Sequence, residues 1–224
     1  LKNGLFSLLF VYFFVRSAAT HSKISLNQEK NPLFLISSAP LTTSLVTETI
    51  NQQNFAMTYC LGIKVRSGLV AIADTRITSG TETATAKKIS IHENGRNSLF
   101  LMTSGLRSIR DKAVTYFEEL FEDESFKFDK MYKAVNMFGE QLRRVAQEDK
   151  RALAESGMFF NLYAIVGGQL ENDKEHMLYL LYPEGNWIEV GEGSPFTIIG
   201  NSGYGKPILN RALNYESSLR FAFK

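Results

Sequence analysis

Three groups of residues have the types and spacing to do chemistry. The first is Met57-Thr58. Thr is small enough for an initiator Met before it to be removed, which would leave Thr58 with a free α-amine. Such an amine has a pKa of roughly 7.7–8.0 and is partly neutral near pH 7. A hydroxyl beside its own amine is then a nucleophile with a built-in base. As an internal dipeptide, the same residues simply open a strand. The second group is Gly200-Asn201-Ser202-Gly203-Tyr204-Gly205-Lys206, which has the G-x-x-x-x-G-K spacing of a phosphate-cradling loop. Pro207 stands where Ser or Thr would hold magnesium, and a proline in the first turn after a Gly-rich loop is also ordinary helix capping. The third is Cys60 as a nucleophile with His92 or His176, against the plainer reading of a small buried apolar residue.

The elements around these residues begin at a break in the chain. Of its 224 residues, Leu1 to Ala56 holds six charges, whereas the remainder is one-quarter charged and evenly split, 21 basic against 21 acidic. None of the six methionines precedes Met57. Lys2 precedes the uncharged run Gly4 to Val15, which is followed by Arg16-Ser17-Ala18-Ala19. Twelve residues fall short of the about 20 that span a bilayer, so no stable membrane insertion is expected. The run suits a signal-peptide core. His21 to Gln53 is rich in Ser, Thr and Asn and reads as linker. Residues 1–56 are therefore expected to be a non-domain extension, either a removable leader or sequence upstream of the translated chain. Residues 57–224 are expected to be the domain.

Within that domain, Tyr59, Leu61, Ile63 and Val65 alternate with Cys60, Gly62 and Lys64, the period of a strand. Leu69 to Ala73 is a continuous apolar run, as in a strand covered on both faces. Lys87 to Ile91 and Leu99 to Met102 flank the hairpin signal Asn94-Gly95, so the opening reads as an antiparallel meander. Two helices follow, one through Leu106, Ile109, Val114, Phe117 and Leu120, the other from Met131 to about Glu155. Strands resume at Phe160 to Val166, Met177 to Tyr182, Trp187 to Val190 and Phe196 to Ile199, before a helix through Ile208, Leu209 and Leu213. Strands, two helices, strands, helix: the order predicts an α+β fold with helices layered on packed antiparallel sheets. The net charge of +2 argues against a nucleic-acid binder. One cysteine excludes an internal disulfide or a multi-cysteine zinc site, and three histidines argue against a His-rich metal centre.

The stretch Met57-Thr58-Tyr59-Cys60-Leu61-Gly62, with Gly68-Leu69-Val70 and Asp74-Thr75-Arg76, resembles the start of a proteasome-type peptidase. The nearest likeness is the bacterial Anbu family, the ancestral β subunit, related to the HslV peptidase. Val166-Gly167-Gly168-Gln169, Leu181-Tyr182-Pro183-Glu184-Gly185-Asn186, Ile199-Gly200 and Tyr204-Gly205-Lys206-Pro207-Ile208-Leu209 continue it in order. The resemblance implies the four-layer αββα sandwich of N-terminal-nucleophile hydrolases, incomplete at its C-terminus. It implies a cytoplasmic homo-oligomer acting on peptide or unfolded-protein substrates, with no cofactor and no metal. Carried over by motif, Thr58 is the nucleophile, Asp74 and Lys88 support it, and Gly105 offers a backbone N–H to the oxyanion. Lys87 is the adjacent rival to Lys88, and Asn201-Ser202 stands where the family's serine after the penultimate strand would be. A further Asp and Ser of the family have no counterpart before Lys224. Two other functions stay open: a non-catalytic or degenerate assembly subunit, and a nucleotide binder using Gly200 to Lys206.

Overall fold

The apolar run near the start of the chain and the alternating segment after Thr58 lie in one sheet. A computed structural model of the protein describes residues 9–14, 26–27, 58–79, 82–85, 88–94, 97–122, 128–203 and 205–224. Strands β1 (Leu9–Phe14) and β2 (Leu26–Asn27) come first, followed by β3 (Tyr59–Val65) and β4 (Gly68–Asp74). A short hairpin, β5 (Arg76–Ser79) and β6 (Glu82–Thr85), leads to β7 (Ile89–Asn94) and β8 (Asn97–Gly105). Helices α1 (Arg107–Glu122) and α2 (Met131–Glu155) precede β9 (Leu162–Gln169), β10 (Met177–Leu181), β11 (Trp187–Glu189) and β12 (Phe196–Gly200). Helices α3 (Gly205–Ala212) and α4 (Leu219–Phe223) close the described chain.

Two five-stranded antiparallel sheets result, ordered β12-β3-β4-β1-β2 and β11-β10-β9-β8-β7. The predicted opening meander divides between them, because β4 pairs with β3 and β1 while, among the described residues, β7 pairs only with β8. The polar hairpin β5–β6 makes the crossing between sheets. Strand β1 lies along β4 in register from Leu9↔Asp74 to Phe14↔Leu69, so the described part of the run that suits a signal core, Leu9–Phe14, is here an added sheet strand. Of the linker His21–Gln53 only Leu26 and Asn27 are described, and Met57, Lys87, Gly95 and Tyr204 also fall outside the described residues. Among the described residues, no helix is long and apolar enough to cross a membrane.

Side-chain alternation sorts the apolar residues into three buried clusters. Cys60, Leu69, Ala71 and Ala73 face Phe100, Met102, Ile165 and Leu178, filling the space between the sheets. The opposite faces of β3 and β4, with Leu61, Ile63, Val65 and Val70, pack on Leu213 and Ala222 beside α3 and within α4. That two-sided cover is why Leu69 to Ala73 reads as an unbroken apolar run. The outer face of the second sheet, with Leu99, Leu101, Ala164 and Val166, meets Ile109, Phe117, Phe138 and Leu142 of α1 and α2. At Gly62 a Cβ would fall 2.9 Å from the Ile165 side chain, so a larger residue there would have to displace that side chain.

The end of the sheets away from Thr58 is tied by polar groups. His176 Nε2–H donates to the Val65 carbonyl at 2.7 Å, and buried Lys64 reaches Glu175 at 3.5 Å and Glu189 at 3.9 Å. Burial holds the His176 pKa below its ordinary 6.5, opposed by the Val65 carbonyl and reinforced by Lys64. The unfolded chain therefore binds more protons than the folded one below about pH 6.5, and stability falls as pH drops through that value. The thermal midpoint should decline between pH 7.5 and 5.5, and His176→Asn should flatten the decline; equal pH slopes for both proteins would contradict the assignment.

Candidate active site

Thr58 stands at the head of β3, and its backbone is fixed on two sides. Its carbonyl accepts the Asn201 N–H at 2.9 Å, just past the last β3–β12 pair, Tyr59↔Gly200. The next N–H in the chain, that of Tyr59, donates to Asp74 Oδ1 at 2.9 Å. Asp74 is the last residue of β4, the strand paired with β3, so the hairpin brings the two residues together. Thr58 is only 8% exposed.

Lys88 approaches from the other sheet. Its carbonyl accepts the Thr103 N–H of β8 at 3.4 Å, fixing its backbone where β7 begins. Its Nζ donates to both Asp74 oxygens, at 2.7 and 2.8 Å, and to Thr58 Oγ1 at 3.3 Å. An ammonium has three N–H donors, and these three contacts use all of them. The Lys88 and Asp74 side chains are 8% and 13% exposed, so the pair lies largely out of water. Asp74 compensates the buried positive charge, and its two oxygens orient the lysine toward the threonine. Oγ1 receives a hydrogen bond here, so its own proton must leave toward another group.

Gly105 ends β8, the strand that anchors Lys88. Two residues before it, the Thr103 carbonyl accepts the Cys60 thiol at 3.9 Å, and Cys60 is two residues after Thr58. Gly105 adopts φ +142°, and a Cβ there would lie 2.1 Å from the Asn161 carbonyl oxygen, so no other residue fits. Thr58, Asp74 and Lys88 thus form one hydrogen-bonded cluster. Gly105 lies outside that cluster, at the end of a strand that packs beside it.

The other sequence candidates are engaged elsewhere. Burial pushes the Cys60 thiol up to about 12, the nearby Lys88 charge only partly opposing it, so it is a protonated core residue at neutral pH. His176 binds Val65, and His92 lies 3.1 Å from Ser90 Oγ with its ring against Phe117 and Phe121. The Gly200–Lys206 loop turns its first residues onto Thr58, and Asn201 Oδ1 accepts the Gly203 N–H at 3.2 Å. Ser202 gives its carbonyl to the Lys206 N–H at 3.1 Å in the first turn of α3. Among the described residues, no group of three or more His, Cys, Asp and Glu is placed to hold a metal ion. Sequence reasoning missed the Tyr59 N–H and the Asn201 N–H, both main-chain donors whose role no side-chain type announces.

Neither a family model nor a curated relative matches the chain. Solved structures do. A Gly-1 mutant of Anbu from Hyphomicrobium sp. strain MC1 is 31% identical, with 74% of this chain and 70% of that one covered and a TM-score of 0.66. This chain belongs to the Anbu family. Anbu, the ancestral β-subunit, from Yersinia bercovieri is 29% identical over the same shares, with a TM-score of 0.67. The helical assembly of the Anbu complex from Pseudomonas aeruginosa is 28% identical, also over 74% and 70%, with a TM-score of 0.69. The fold is accordingly proteasome-like, an α+β arrangement of two antiparallel sheets with helices.

The buried pair in this Anbu chain makes a direct prediction. Lys88→Met should strand the Asp74 carboxylate and cost about 3–5 kcal/mol of stability. Adding Asp74→Asn, which keeps an acceptor for the Tyr59 N–H, should recover a large part of that loss. Denaturant titration of the single and double variants measures both; a single variant as stable as the parent would contradict a buried ion pair.

Proposed function

We propose that this Anbu chain is a threonine peptidase of proteasome type, with Thr58 as nucleophile. The observation that carries the reading is the Lys88 ammonium donating its third hydrogen to Thr58 Oγ1 while Asp74 holds the other two. The three packing clusters support the further assignment of a four-layer αββα sandwich of the N-terminal-nucleophile type. Residues 57–224 form the catalytic domain; loss of the chain up to Met57 takes β1 and β2 from the edge of the first sheet, leaves β12-β3-β4, and frees the Thr58 amine.

In the reaction the neutral amine takes the Oγ1 proton as Oγ1 bonds to the scissile carbonyl carbon. Lys88 stabilises the charge developing on Oγ1, and the Gly105 N–H donates to the carbonyl oxygen as it becomes an anion. The C–N bond then breaks, the leaving nitrogen takes the proton from the ammonium, and an ester to Thr58 remains. Water, deprotonated by the same amine, attacks the ester carbon and releases the acid with Thr58 restored. Each step needs only this chain's groups, a peptide and water. The assembled Pseudomonas aeruginosa relative supports a homo-oligomer as the working form. A non-catalytic assembly subunit is the rival, and it predicts no dependence of any activity on Thr58 or Lys88.

The test begins with intact mass and N-terminal sequence of the purified protein, which should show a chain starting at Thr58. That protein should cleave short peptides. Thr58→Ala should abolish turnover, and Lys88→Met should lower kcat about a hundredfold or more, as loss of a pre-aligned electrostatic donor does. A chain with a free Thr58 amine and no turnover would favour the assembly subunit. Turnover unchanged in Thr58→Ala would contradict the nucleophile assignment.

A further inference from the structure

The loop that looks like a phosphate cradle does something else where it leaves β12. Gly200 has φ +91°, a conformation open to glycine but strained for other residues. A Cβ on Gly200 would lie 1.8 Å from the Thr58 carbonyl oxygen, 2.6 Å from the Thr58 carbonyl carbon and 3.3 Å from its Cβ. The backbone of position 200 therefore presses directly on the backbone of position 58. Asn201, in the next peptide, donates its N–H to the same Thr58 carbonyl at 2.9 Å. The β12–β3 ladder thus extends one step past its last paired residues and ends on the candidate nucleophile.

We infer that Gly200 and the Asn201 main chain are a positioning seat for Thr58, setting how far Oγ1 stands from Lys88. The inference rests on the threonine-peptidase reading for its kinetic consequence, but its geometry does not. Three groups grip Thr58 from different directions: Asn201 holds its carbonyl, Asp74 holds the N–H that follows it, and Lys88 holds its hydroxyl. The hydroxyl contact is the longest of the three, at 3.3 Å against 2.9 Å for each of the others. It already exceeds the usual 2.7–3.2 Å of an N–H···O bond, so a small outward movement of Thr58 ends it. A methyl group at position 200 cannot be accommodated without such a movement, because the two nearest atoms it meets are main chain rather than the tip of a flexible side chain. Gly203, in the same loop, is different: a Cβ there meets only Asn201 Oδ1, at 3.5 Å, an ordinary contact.

The experiment compares the mature protein with its Gly200→Ala and Gly203→Ala variants. Gly200→Ala should lower kcat by about a hundredfold, the scale of a misplacement near 1 Å, and leave KM within about twofold. Gly203→Ala should match the parent in both. Wild-type kcat in Gly200→Ala, or equal losses in the two variants, would overturn the proposal. Should Gly200→Ala not fold, Asn201→Pro takes its place with the same two outcomes, since it removes the N–H and adds nothing at position 200. If the parent itself shows no turnover, the peptidase reading fails and amide hydrogen exchange judges the seat alone. Slow exchange at Asn201 and Tyr59, accelerated in Gly200→Ala while β8 and β9 stay protected, would support it. Fast exchange at Asn201 in the parent, or no change in the variant, would overturn it.

Discussion

One ammonium joins the two sheets at the end where the candidate nucleophile sits. Lys88 is anchored by its backbone to β8 in one sheet, and its charge is received by Asp74 and Thr58 in the other. A lysine so placed is costly to bury alone, so a carboxylate partner such as Asp74 must stand beside it. Asp74 in turn holds the first amide of β3. The position of Thr58 is therefore a consequence of charge compensation between sheets, and every element that fixes sheet spacing also fixes the site. Gly62 is one such element, since a larger residue there would have to displace the Ile165 and Leu178 side chains of the facing sheet.

Much of the fold was legible because its patterns are strong. The alternation of Tyr59 to Val65 and the 3.6-residue repeat of Met131 to Glu155 each match the element formed. The hairpin β5–β6 was not legible, because Arg76–Ser79 and Glu82–Thr85 bring no apolar alternation and, among the described residues, pair only with each other. Helix α4 is five residues long, too short to show a period, and its start is set by Ser218 accepting the Phe221 N–H. The division of the opening strands between two sheets was hidden for a different reason: a hairpin and a sheet crossing leave the same local sequence signal, and only packing distinguishes them.

The site was legible in part, and by another route. Thr58, Asp74, Lys88 and Gly105 were singled out by resemblance, and nothing in their spacing alone brings them together. The structure joins the first three by hydrogen bonds. The seat formed by Gly200 and Asn201 was present in the sequence only as a glycine in a loop, where it was open to reading as phosphate recognition. Backbone donors and a missing Cβ carry no residue-type signature, so their role emerges only when the partner strand is seen.

The central claim is that Thr58 Oγ1 is the reactive nucleophile of this Anbu chain. It is tested most directly by treating the folded protein, its N-terminus first verified as Thr58, with a small β-lactone and locating the adduct by peptide mass spectrometry. The account predicts one ester, on Thr58, formed faster in the parent than in Lys88→Met. A folded chain with a free Thr58 amine that forms no adduct, or forms it on Cys60, would contradict it.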